Sequence, residues 1–193
     1  MARKPLPAEY TPTVANVLKV WHAASDADRA AGAEWYNDAH ALACEISDAN
    51  TGAGVIAALS PQVSWPRNVT MALQVSRGET PTMTNGRNAT KAARCMSGEL
   101  WQDVLGGSKV RSFAATIENP AHPTAVVIDR HAFDIAIGQA SSDRDRGLIL
   151  SRAGVHERFA RVYVAAARIL GVAPSVVQAA TWIAWRHAKG IVD

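Results

Sequence analysis

Apolar residues recur along most of this chain at the spacing of buried helix faces. Val14, Val17, Leu18 and Trp21 fall at i, i+3, i+4 and i+7, on a helix that Thr11-Pro12 should open with proline in its first turn. Ser25 and Asp26 cap a second stretch that carries Trp35, Tyr36, Ala39, Leu42, Ala43 and Ile46. Gly52 and Gly54 open a short apolar segment, Val55 to Leu59, which must stop near Pro61 because a residue before proline (here Ser60) is steered out of the α region. Ser64 caps the next helix, with Pro66 in an early turn. The polar stretch from Arg77 to Asn88 reads as the longest loop. Helices follow over about Ala89 to Met96 and Leu100 to Leu105, then, after Gly106-Gly107, Lys109 to about Glu118. Thr124 to Ile128 is the one β-like run, fenced by Pro123 and Asp129. Two long helices, about His156–Leu170 and Pro174–Lys189, end the chain on either side of Gly171. The expectation is an all-α fold: residues 1–193 as one helical domain, with room for two lobes.

Composition narrows the class without naming it. Hydrophobic residues make up 48% and charged residues 19%, so the chain can build a core and is not of disordered type. No apolar run approaches the roughly 20 residues that cross a bilayer. Met1-Ala2-Arg3-Lys4-Pro5 has no apolar segment behind it, so no secretory signal is expected. Cys44 and Cys95 cannot supply a four-thiolate cluster, and the six histidines show no HExxH spacing, so neither an iron–sulfur cluster nor another metal is expected. A cytoplasmic monomer fits these features. Charge is uneven: residues 1–59 hold four Lys/Arg against seven Asp/Glu, residues 60–193 sixteen against ten. The basic part suits a polyanion, or is simply a solvated surface.

Three local patterns bring in chemistry. The first is Leu59-Ser60-Pro61-Gln62 at the end of an apolar helix. The second is Leu105-Gly106-Gly107-Ser108-Lys109-Val110-Arg111, a glycine hairpin leading into a helix, with the whole unit over about 103–117. The third is Val126-Val127-Ile128-Asp129-Arg130-His131, an apolar stretch ending in an acid at a helix start, within 126–134. Singly, each has a plain reading as a helix terminus, a C-cap or an N-cap. In this order they resemble the helix-hairpin-helix DNA glycosylase superfamily typified by endonuclease III, with its Leu-Ser-x-Gln, Gly-x-Gly-x-Lys and Val-Asp-Thr-His. The resemblance covers about residues 54–138, weakens toward Gln178–Arg186, and at Gly32-Ala33-Glu34-Trp35-Tyr36 is closer to small phage-type relatives.

The resemblance implies that Gln62 probes the gap left by an extruded base. It implies that Gly106, Gly107 and Ser108 bind phosphate, that Lys109 attacks the sugar in a bifunctional enzyme, and that Asp129 is the catalytic acid with His131 after it. The chain departs from the pattern in having Gly106-Gly107 for Gly-Val-Gly, Arg130 for Thr, and no cluster cysteines. The physics of each role stands beside the resemblance. Glycines let backbone N–H groups approach phosphate closely, and the helix beginning near Lys109 adds a positive dipole end. Arg111 and Arg130 are further cations for the backbone, while Trp65 either stacks on a base or packs in the core. A carboxylate at Asp129 beside a sugar that develops positive charge stabilises that charge. Lys109 is open between nucleophile and phosphate contact. Arg144, Arg146 and Arg152 are open between phosphate contacts and a solvated loop, and Trp182, Trp185 and Arg186 read as a core tryptophan pair edged by an arginine. The expected function is a DNA glycosylase on a modified or damaged base, with or without abasic-site lyase activity. The alternatives are a phage-type, pyrophosphorylase-like thymine hypermodification enzyme on the same fold and a catalytically inert DNA-binding module.

Overall fold

Asp48 caps the helix around which one half of the protein packs: its Oδ1 accepts the N–H groups of Asn50 and Thr51 at 3.0 and 3.1 Å. The computed structural model describes residues 6–191, so the expectation about Met1 to Pro5 lies outside the described residues. They form a 3-10 turn, Ala8–Tyr10, and the helices α1 (Val14–Ala23), α2 (Asp26–Ile46), α3 (Ala49–Leu59), α4 (Trp65–Ser76), α5 (Gly86–Met96) and α6 (Trp101–Val104). α7 (Ser108–Glu118), α8 (Arg130–Ile137), α9 (Asp143–Leu150), α10 (Val155–Leu170) and α11 (Pro174–Ala188) complete an all-α fold, with no strand among the described residues. The chain divides into two compact units, one drawn from 1–34 and 126–192, the other from 35–125. α2 runs from the first into the second.

In the 35–125 unit, α3 is the central helix, buried from Thr51 to Leu59 and packed by α4, α5, α6 and α7. Gly52 and Gly54, read above as openers of a short segment, lie inside a helix six residues longer than expected. Their task is close packing. A Cβ on Gly52 would stand 2.0 Å from the Ala43 carbonyl oxygen, and one on Gly54 would stand 2.9 Å from both the Cys95 sulfur and the Trp101 Cβ. Ser60 also departs from expectation: it keeps helical angles (φ −70°, ψ −24°) although Pro61 follows. Its N–H and its hydroxyl both donate to the Ala57 carbonyl, at 3.3 and 2.9 Å, and this tight turn outweighs the steric preference. Burial among these helices pushes the Cys95 thiol up to about 11, which keeps it inert.

In the other unit, α1, α8, α10 and α11 enclose Val17, Val126, Ile128, Phe133, Ile135, Phe159 and Tyr163. Phe133 and Phe159 stack at 4.7 Å, and the buried Tyr163 hydroxyl donates to the Ala132 carbonyl at 2.8 Å. α1 starts at Val14, after Pro12, because Thr13 is the residue whose side chain accepts the Asn16 N–H. α2 opens with a reciprocal cap, Ser25 Oγ to the Asp28 N–H and Asp28 Oδ2 to the Ser25 N–H, both 3.0 Å. Arg146 is neither a phosphate contact in waiting nor a solvated residue. It is only 14% exposed and pairs with the buried Asp134 at 2.7 Å and with Asp143 at 2.6 Å. Among the described residues no single helix is long and apolar enough to cross a membrane.

The run expected as β-like forms no strand: Thr124 lies in a bend, and Ala125 to Ile128 have no regular secondary structure. Ala125 to Ile128 are buried, and no strand lies beside them among the described residues. Histidines serve instead: the Ala125 N–H donates to His122 Nδ1 at 2.9 Å, and the Ile128 N–H to His156 Nε2 at 3.4 Å.

The glycines of α3 yield a stability prediction. Gly52→Ala should destabilise by about 2–3 kcal/mol, read by chemical denaturation, because the intruding methyl meets backbone and cannot be relieved by a rotamer change. Gly106→Ala, where a Cβ meets nothing within 4 Å, should change stability by less than about 0.5 kcal/mol. Equal effects at the two positions contradict the packing assignment.

Candidate functional site

The sequence-predicted site residues divide between the units. Gln62, Trp65, Gly106, Gly107, Ser108, Lys109 and Arg111 belong to the 35–125 unit; Asp129, Arg130 and His131 belong to the other. Charge divides the same way. Among the described residues the unit bearing Asp129 holds eleven Lys/Arg against nine Asp/Glu, and the hairpin unit seven against seven. The basic excess read along the sequence therefore sits with the acid and not with the hairpin.

The hairpin joins α6 to α7 through Leu105-Gly106-Gly107. Gly107 takes φ +79°, ψ 131°, a conformation open to glycine, and as the N-cap of α7 it has no side chain with which to cap the helix. A Cβ on Gly106 or Gly107 would meet no atom within 4 Å, so their smallness serves no internal packing and leaves the backbone bare. Lys109 is exposed and has no partner among the described residues. Arg111 is occupied differently from expectation. Its Nη1 donates to the carbonyls of Gln102 and Leu105 at 2.7 and 3.1 Å and its guanidinium lies 5.9 Å from the Trp101 ring centre, so it closes the end of α6 and shapes the hairpin. Below it, Glu118 accepts from Asn50 Nδ2 (2.9 Å) and Trp101 Nε1 (3.0 Å), tying the hairpin helices to the head of α3.

Gln62 is exposed and sits at φ +62°, the one non-glycine residue with positive φ among those described. A glutamine there carries about 1 kcal/mol of backbone strain or more, a mark often found where a side chain is presented to a ligand. Trp65 is half-buried and contacts Trp35 at 5.1 Å, which in turn lies 6.0 Å from Phe113. Sequence reading missed Trp35 and Phe113 as companions of Trp65, because they come from three different helices.

Asp129 is the N-cap of α8 (φ −92°, ψ −172°) and is half-buried. Its Oδ1 accepts the N–H groups of His131 at 3.0 Å and Ala132 at 2.8 Å. Its Oδ2 accepts the indole N–H of Trp182, from α11, at 2.9 Å. A carboxylate has about four lone-pair sites. Three are occupied, and the fourth, on Oδ2, meets no protein donor among the described residues. Sequence reading placed Trp182 in a core pair; its tie to Asp129 across 53 residues had no local signal. Arg186 is buried and lies over the Trp182 ring at 4.2 Å. Lys189 lies over Trp185 at 4.4 Å, so the two tryptophans carry separate cations. Arg130 is exposed, and its Nε donates to His131 Nε2 at 3.2 Å. That bond requires His131 to be neutral with its proton on Nδ1. Burial holds its pKa below the usual value; Asp129 opposes the shift, and Arg130 and Arg186 add to it. His156, accepting the Ile128 N–H, is likewise held low by burial.

Residues 1–189 match a family of unknown function, DUF7178, and the chain belongs to that family. No curated protein and no solved structure matches it.

The two buried histidines set a pH window. Their folded-state pKa values lie below the unfolded value of about 6.5, so on acidification the unfolded chain takes up protons first. Their contribution is fully present above about pH 6.5 and is lost as pH falls through the folded values. Denaturation midpoints should therefore drop from pH 7 toward pH 5, and His156→Gln should flatten part of that drop. A midpoint that rises on acidification contradicts the neutral assignment.

Asp129→Asn has a cost that its size alone conceals. An amide can still cap α8, but its NH2 then faces the Trp182 N–H, donor against donor. A loss of about 1–2 kcal/mol is expected in unfolding experiments. In Trp182→Phe, where that donor is gone, the same Asp129→Asn change should cost clearly less. Equal costs in the two backgrounds would show that the bond adds nothing to stability.

Proposed function

We propose that this member of the family is a DNA glycosylase that extrudes a modified or damaged base and breaks its glycosidic bond, with Asp129 as the catalytic anion. The observation that carries this reading is the carboxylate itself: half-buried, fixed by three N–H groups, and with one acceptor site that no donor among the described residues fills. When the bond between C1′ and the base nitrogen breaks, its electron pair leaves with the base, and positive charge spreads over C1′ and the ring oxygen. A preorganised anion stabilises that state, and removing such a partner commonly costs on the order of 10²–10³ in rate. Water then attacks C1′, and its proton has a place on the open Oδ2 lone pair.

Supporting features lie in the other unit. The bare backbone of Gly106-Gly107, at the N-terminal end of α7, suits a phosphate. The strained, exposed Gln62 suits a probe of the duplex, and Trp65 with Trp35 offers a ring surface for a base. Lys109, exposed and unpaired among the described residues, is better suited to a phosphate than to attack on the sugar. Arg130 adds an exposed cation beside Asp129.

The test is incubation with duplexes carrying a panel of altered bases and with abasic DNA. Release of free base without strand scission is the expected result. Scission, with a borohydride-trapped adduct that Lys109→Gln abolishes, makes the enzyme bifunctional and returns Lys109 to the nucleophile's role. Binding without any product contradicts the glycosylase reading and leaves thymine hypermodification, tested by supplying activated thymine derivatives, or an inert binder. If about four phosphates are contacted, log affinity should fall against log salt with a slope of roughly −3 to −4, and Lys109→Gln should make it shallower by about one. Absence of DNA binding at low salt sinks the whole proposal.

A further inference from the structure

The chemistry at Asp129 depends on where its second oxygen points, and the residue that decides this lies in the last helix. Oδ1 is committed to two backbone N–H groups, which any N-cap aspartate can bond. Those bonds leave rotation about the Cβ–Cγ bond only loosely set. Oδ2 has one protein donor among the described residues, the Trp182 indole N–H at 2.9 Å. The indole cannot drift far. Arg186 covers its face at 4.2 Å, and the His131 ring meets it edge-on with centres 6.2 Å apart. A buried guanidinium over an indole draws electron density from the ring, which makes the N–H a stronger donor.

We propose that Trp182, backed by Arg186, is a positioning residue that locks the Asp129 carboxylate so that the free lone pair of Oδ2 alone faces the reacting sugar. This rests on the glycosidic-bond reading above and adds to it a residue outside the segment that carries the resemblance most clearly. Without the indole N–H, Oδ2 would take up water instead. An incoming positive charge would have to displace that water and reorient the carboxylate, so the preorganisation is lost while the fold and the capping bonds of α8 persist.

The test needs no knowledge of the natural base. Two duplexes are compared, identical except at one abasic position. One carries a tetrahydrofuran, a neutral sugar analogue; the other carries a pyrrolidine, whose protonated ring nitrogen imitates the positive charge of the reacting sugar. The parent protein should bind the pyrrolidine duplex at least tenfold more tightly than the tetrahydrofuran duplex. Asp129→Asn should bring that ratio close to one. Trp182→Phe should lower the ratio at least threefold while leaving tetrahydrofuran affinity within about twofold. Replacing Trp182 by its benzothiophene isostere, which keeps ring size and removes only the N–H, should act as Phe does, and it decides the matter if Phe compromises folding.

If both Trp182 variants keep the full parental ratio, the positioning role is wrong and the glycosylase reading stands. If they weaken both duplexes equally with the ratio unchanged, Trp182 is structural and the proposal is again overturned. A parental ratio of one, with the tetrahydrofuran duplex still bound, overturns the glycosylase reading itself.

Discussion

A buried segment that is neither helix nor strand has to find acceptors for its N–H groups outside regular structure, and this constraint bears on the unit that carries Asp129. Val126 to Ile128 are buried, and Val126 and Ile128 belong to the core of that unit. The Ile128 N–H is met by His156, which can accept only while neutral, and burial keeps it so. One residue later the chain turns into α8, and the Asp129 carboxylate takes the first N–H groups of that helix. The acid is thus held at both ends of a short tether, by a histidine from α10 before it and by the helix it caps after it. Tyr163, also from α10, completes the frame by donating to the Ala132 carbonyl, and burial, with the nearby Asp129 charge adding to it, pushes its phenol up. Such a frame holds a carboxylate in one place through packing and hydrogen bonds that a loop could not supply.

The two units differ in what they present. The 35–125 unit is neutral overall and offers geometry: a glycine hairpin with bare backbone, a strained glutamine and a set of half-buried rings. The other unit has a basic excess and offers charge, with an anion set among arginines. Nucleic-acid backbones are held by both kinds of contact, by N–H groups that need no net charge and by cations that act at longer range. Some arginines are spent internally. Arg146 neutralises the buried Asp134 and the buried Arg186 covers Trp182, so counting basic residues along the sequence overstates what is available to a polyanion.

Helix content and order were legible because period-3.6 patterning and end signals agree along most of the chain. Asp129 was legible as a cap for the same reason: an acid after an apolar extended run has few other uses. Three features were hidden. Gly52 and Gly54 look like breaks, and only their approach to Ala43, Cys95 and Trp101 reveals them as packing contacts inside α3. The Thr124–Ile128 run has strand-like residues, but a strand needs a partner, and pairing is a property of the whole chain. The Trp182–Asp129 bond joins residues 53 positions apart, so no window along the sequence contains both. The resemblance points to Asp129 and gives no sign of the indole N–H that its Oδ2 accepts.

The central claim is that Asp129 acts through its charge, and comparing turnover with binding in Asp129→Asn tests it most directly. With whichever altered-base duplex the parent processes, single-turnover cleavage should slow at least a hundredfold while affinity for that duplex is kept or improved. Unimpaired cleavage by a folded Asp129→Asn protein would contradict the claim and reduce Asp129 to a helix cap.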